Sequence, residues 1–86
     1  MLNKEVNVKL NNADEQVIAK LVQIANEFQS EIHLIHENTN VNCKSIMGVL
    51  ALNIQNCSNL TLITNGSDEN EALKTLKNFL EEGIYA

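Results

Sequence analysis

Residues 41–52 read VNCKSIMGVLAL, and the reading of this stretch decides the fold. Val41 and Cys43 alternate with Asn42 and Lys44, the period of a strand with one apolar side. At Ser45 the period changes, and Ile46, Met47, Val49, Leu50 and Leu52 make an apolar turn of helix. A serine between strand and helix has a simple local meaning. As an N-cap its hydroxyl accepts a backbone N–H of the first turn, which contributes about 1 kcal/mol. The sharper meaning is a phosphorylatable switch, because a phosphate there would add about two negative charges at the positive end of a helix. Ile46, Met47 and Leu50 would then be neighbours for a partner, with Met47 the most adaptable.

Upstream, residues 31–36 (EIHLIH) alternate, with Ile32, Leu34 and His36 on one side and His33 and Ile35 on the other. Glu37-Asn-Thr-Asn40 is a polar hairpin turn leading into the return strand 41–44. Residues 13–28 repeat Val17, Ile18, Leu21, Ile24, Ala25 and Phe28 at intervals of three and four, an amphipathic helix. Asn12 and Glu15 before it have capping-box spacing. Residues 4–10 (KEVNVKL) alternate with Val6, Val8 and Leu10 on one side.

Downstream, the helix opened by Ser45 fades near Gln55-Asn56, and residues 60–64 (LTLIT) form a strand stopped by Asn65-Gly66. Residues 68–82 carry Ala72, Leu73, Leu76, Phe79 and Leu80 on one stripe, opened by Asp68 and Glu71 in capping-box spacing and stopped at Gly83. The order βαββαβα predicts a two-layer α+β fold in one domain, 1–86. A four-stranded antiparallel sheet carries three helices on one face and leaves the other open to water.

Composition narrows the function. Eleven acids against six lysines give a net charge of −5, and there is no arginine. Nucleic-acid binding needs clustered positive charge, so it is not expected. No apolar run long enough to cross a membrane is present, and no cleaved leader is read, so the expected location is cytoplasmic. Cys43 and Cys57 form no CxxC pattern and read as reduced thiols. His33 and His36 resemble a metal pair, but residues three apart on a strand face opposite ways, so no metal and no cofactor is expected. No nucleophile stands beside a base in sequence, and Asp68, Glu69 and Glu71 are explained by capping and the helix dipole. The chain does not read as an enzyme.

The segments Val41 to Leu50, Val22 to Phe28, Ile32 to His36 and Gly66-Ser-Asp-Glu-Asn-Glu-Ala-Leu73 resemble the HPr family. This is the histidine-containing phosphocarrier of the bacterial sugar phosphotransferase system, with its catabolite-repression paralogues called Crh. The resemblance covers nearly the whole chain and implies an open-faced β-sandwich with the order derived above. It also implies that Ser45 is the family's regulatory serine, phosphorylated by a dedicated ATP-dependent kinase/phosphorylase. The phosphoprotein would then serve a catabolite transcriptional regulator, with Lys44, Ile46, Met47 and Leu50 as partner-binding residues. The phosphocarrier motif departs from the pattern. Asp14 stands where the family has its histidine, Gln16 where it has an arginine, and Val17 where it has a proline. Asp14 cannot form a phosphohistidine, and Gln16 brings no charge to a phosphate.

Three roles follow from this resemblance. The first is a regulatory protein acting through Ser45. A second is a phosphoryl acceptor from Enzyme I that uses Asp14 or a displaced histidine. The third is an interaction module that binds a partner or a second copy, with Ile35 and Ile63 on the open sheet face as an apolar centre.

Overall fold

In a computed structural model, described for residues 1–9, 15–54 and 57–83, strand alternation and helical stripes resolve into the expected order. The elements are β1 (Leu2–Asn7), α1 (Glu15–Ala25), β2 (Glu31–His36), β3 (Thr39–Asn42), α2 (Ile46–Leu52), β4 (Asn59–Asn65) and α3 (Glu69–Glu82). All strand pairs are antiparallel, in the sheet order β1-β4-β2-β3.

The register puts Lys4 opposite Leu62, Leu62 opposite Leu34 and Leu34 opposite Val41, one row of the helix-facing side. Val6, Ile32, Leu34, Leu60 and Leu62 are buried there against Ile18, Leu21 and Ile24 of α1, Val49 and Leu52 of α2, and Leu76, Phe79 and Leu80 of α3. The core is almost wholly aliphatic, and each fully buried Leu or Ile contributes roughly 2 kcal/mol by transfer from water. A one-residue slip would send that whole set to the open face, so the register is strongly specified. The open face carries Asn3, Ile63, His33 and Asn42 in its neighbouring row. Ile35 and Ile63 are half-buried on it.

Several boundaries differ from the sequence expectation. β1 runs Leu2–Asn7 rather than 4–10, because it pairs along the length of β4, from Leu2 opposite Thr64 to Asn7 opposite Asn59. Val8 still packs on the core, its N–H donating to Ser58 O at 3.0 Å, while Leu10 lies outside the described residues. β3 runs Thr39–Asn42 rather than 41–44, since pairing of His36 with Thr39 leaves only Glu37 and Asn38 for the turn. Glu37 takes a left-handed φ of 56° to make it. α1 ends at Ala25, three residues early, where its last turn tightens: Glu27 N–H donates to Ile24 O and Phe28 N–H to Ala25 O. α2 ends at Leu52, with Asn53 left-handed (φ 59°) as its cap. The expected box of Asn12 with Glu15, and the fading at Gln55-Asn56, fall on or beside residues outside the description.

Asp68 departs most from its expected role. It is the N-cap of α3 but makes no capping bond with its side chain. Its carboxylate instead accepts from Gln29 N–H at 2.8 Å, from Ser30 N–H at 2.9 Å and from the Ser30 hydroxyl. One side chain thus joins the turn after α1 to the turn after β4. The junction is tight: a Cβ on Gly66 would fall 2.6 Å from Ser30 Cα, so only glycine fits. At the other end of α3, Gly83 adopts φ 70° and donates to Phe79 O at 2.8 Å, the expected glycine stop.

Candidate functional site

The strand-to-helix junction forms as the local sequence dictates. Ser45 is extended (φ −107°, ψ 118°), and its Oγ accepts from Gly48 N–H at 3.2 Å, an N-cap bond across one turn. Its own N–H donates to Asn42 O and its carbonyl accepts from Val49 N–H, each at 3.0 Å. The side chain is half-buried. Beyond it α2 divides cleanly by face. Val49 and Leu52 are buried, while Ile46 is 44% exposed, Leu50 44% and Met47 75%. Met47 is therefore surface, not core, and it forms with Ile46 and Leu50 an uncovered apolar stripe next to the hydroxyl.

Lys44 is placed differently from a free surface cation. Its Nζ donates to Phe28 O at 2.7 Å, in the turn that follows α1. Its N–H donates to Asn42 Oδ1 at 2.9 Å. Its carbonyl accepts from Asn26 Nδ2 at 3.2 Å, and the same amide donates to Val22 O at 2.9 Å. Sequence reasoning missed Asn26. The available signal was a polar amide directly after the last buried pair of the helix, Ile24 and Ala25.

Asp14 lies outside the described residues, and Gln16 is exposed in the first turn of α1. The segment carrying Ser45 is fastened to the opposite end of α1, at Asn26 and Phe28 in the turn that follows it. Ten residues of helix rise, about 15 Å, separate the levels of Gln16 and Asn26. Gln16 and the Ser45 segment therefore sit at opposite ends of one helix.

The histidines are on β2, at opposite faces as their spacing requires. His33 Nδ1 lies 3.1 Å from Asn40 Oδ1 on the open face. His36 lines an open cleft of about 350 Å³ with Glu5, Glu37, Ser58, Asn59 and Thr61. Among the described residues no group of three or more His, Cys, Asp or Glu is placed to hold a metal ion. No helix among them is long and apolar enough to cross a membrane. Both cysteines are buried and free. Burial pushes the Cys43 thiol up to about 12, and burial, with the Glu37 carboxylate second, raises Cys57.

Residues 3–82 match the family described as the PTS HPr component phosphorylation site. The chain belongs to the HPr family. Among relatives within it, the HPr-like protein Crh of Halalkalibacterium halodurans is 45% identical over 83 residues, spanning 95% of this chain and 99% of its own. Crh of Bacillus subtilis is 36% identical over 85 residues, 98% of this chain and 100% of its own. In three dimensions the fold matches the phosphocarrier protein HPr of Bacillus anthracis with a TM-score of 0.87 at 38% identity, covering 93% and 96% of the two chains. It matches a crystal structure of Bacillus subtilis Crh, described as a dimer with a swapped domain, at 0.77 and 36%, over the full length of both. An HPr-like fold with this element order is thus common to sequence and structure. Proteins of the family are phosphocarriers or regulators, and the members most similar here include two called Crh.

Proposed function

We propose that this HPr-family chain is a regulatory protein, a single cytoplasmic domain that signals through phosphorylation of Ser45 rather than carrying phosphate on histidine. The observation that carries this reading is the pairing of a half-buried serine hydroxyl with the uncovered stripe of Ile46, Met47 and Leu50. A phosphate on Oγ would change the charge at the edge of an apolar surface, which is what a phosphorylation-dependent partner reads. The partners in this reading are the family's serine kinase/phosphorylase and a catabolite transcriptional regulator. The protein has no catalytic role of its own.

The histidines support the same conclusion by their surroundings. His36 shares its cleft with the Glu5 and Glu37 carboxylates, which repel an incoming phosphoryl group, and His33 faces Asn40 across the open sheet. Incubation with the serine kinase and ATP is expected to add one phosphate, lost in Ser45→Ala. Phosphoenolpyruvate and Enzyme I are expected to leave the chain unlabelled. Absence of any serine label would sink the reading.

Self-association is a second reading, favoured by the half-buried Ile35 and Ile63 on the open face and by the dimer described for Bacillus subtilis Crh. A sedimentation mass that stays monomeric at all concentrations counts against it.

A further inference from the structure

We propose that Lys44 and Asn26 are positioning residues that hold Ser45 ready for phosphoryl transfer, so that the end of α1 sets the reactivity of a hydroxyl on α2. This rests on the reading of Ser45 as phosphoacceptor and adds residues to it. In that step Ser45 Oγ attacks the γ-phosphorus of ATP bound to the kinase. The bond from that phosphorus to the ADP oxygen breaks, and the hydroxyl proton passes to a base of the kinase.

Every polar group of Lys44 is taken within the chain. Its N–H goes to Asn42 Oδ1 (2.9 Å), its carbonyl to Asn26 Nδ2 (3.2 Å) and its ammonium to Phe28 O (2.7 Å). Two of these three ties end on α1 or the turn after it, and Asn26 is itself anchored by its second bond to Val22 O. Ser45 is held on its other side as well, by Asn42 O and Val49 N–H. The backbone on both sides of the hydroxyl is therefore fixed, while Oγ keeps one bond of 3.2 Å to Gly48 N–H. A rotatable hydroxyl on an immobilised backbone suits an acceptor that must meet a phosphorus in line, since misplacement costs rate steeply. The half-buried Lys44 ammonium donates to the Phe28 carbonyl, so its charge helps hold this tie.

The test uses the full chain, the serine kinase and ATP, with Asn26→Ala, Lys44→Met, Lys44→Arg and the Asn26→Ala/Lys44→Met double variant. Each of the two neutral single variants is expected to lower kcat/KM for phosphorylation about ten-fold. The double variant is expected to be no worse than the poorer single, because losing either bond, to Asn26 or to Phe28, frees the same segment from the end of α1. Lys44→Arg, which keeps a cation for the Phe28 carbonyl, is expected to retain most of the rate. Hydrogen exchange at the Gly48 and Val49 amides should rise several-fold in the neutral variants, with β4 amides unchanged as proof that the fold is intact. Additive losses with unchanged exchange would mean that the kinase reads Lys44 directly, and would overturn the proposal. If the wild-type chain takes no label, the Ser45 reading fails and the proposal with it. Label with unaltered rates in the variants leaves that reading standing and overturns the positioning role alone.

Discussion

Cys43 follows β3 and precedes the Ser45 junction, its N–H donating to Ile32 O at 2.9 Å and its side chain wholly buried. Burial disfavours the thiolate and pushes its pKa from 9.0 up to about 12. A thiol held protonated is a poor nucleophile, so an iodoacetamide pulse at pH 8 is expected to alkylate Cys43 only as molecules unfold. Labelling at the rate of a free thiol would show that the site opens. The raised folded pKa also has a sign for stability. Its contribution is fully present below 9.0 and is lost as pH rises towards about 12, so Cys43→Ala should flatten the alkaline limb of the melting curve. The burial of Cys43 was legible from its place opposite Asn42 in the alternation. The ties of Lys44 were not, because their partners lie up to eighteen residues away and no local pattern marks them.

At the scale of elements, α2 is where cap and surface meet. Ser45→Ala removes the acceptor of the Gly48 N–H and is expected to cost about 1 kcal/mol in urea unfolding. Met47→Ser should change stability by less than about 0.5 kcal/mol, since the side chain is 75% exposed, while weakening any partner that docks on the stripe. A larger loss of stability would show that the helix packs more deeply than its exposure indicates. β2, α2 and α3 were legible because each combines an unambiguous period with a local stop or cap: Ser45 before α2, Gly83 after α3. β1 was displaced because alternation continues through Val8 after pairing has ended, and strand ends are set by the partner's length, which local period cannot report. Asp68 was misassigned for a related reason. Its spacing to Glu71 fits a capping box, but in space the nearer donors are the amides of Gln29 and Ser30. A cap and a cross-turn tie look alike along the chain.

Across the whole molecule, three carboxylates join parts of the chain that are distant in sequence, and each is held below its ordinary pKa. Asp68 is lowered chiefly by the Ser30 hydroxyl and then by Gln29 N–H. Glu69 is lowered chiefly by Gly66 N–H and then by the distant Met1 ammonium, and Glu81 by Lys77 first and then by Asn7 N–H, which ties α3 to β1. A depressed folded pKa contributes stability above the ordinary value, 3.8 for Asp68 and 4.5 for the two glutamates, which is lost as pH falls through the folded values. Protonation of the same acids also relieves the repulsion of a chain with net charge −5, and that works the other way. Comparison with Asp68→Asn separates the two, since the amide keeps the size of the side chain and is never charged. The wild-type melting temperature should exceed that of Asp68→Asn by its full margin at pH 7. The margin should shrink steadily below about pH 4 as the carboxylate protonates and loses its advantage over the amide. Added salt should leave most of the margin intact, because it rests on hydrogen bonds to two amides and a hydroxyl rather than on an ion pair. A margin that is constant from pH 7 to pH 3 would show that Asp68 does not couple the two turns through its charge.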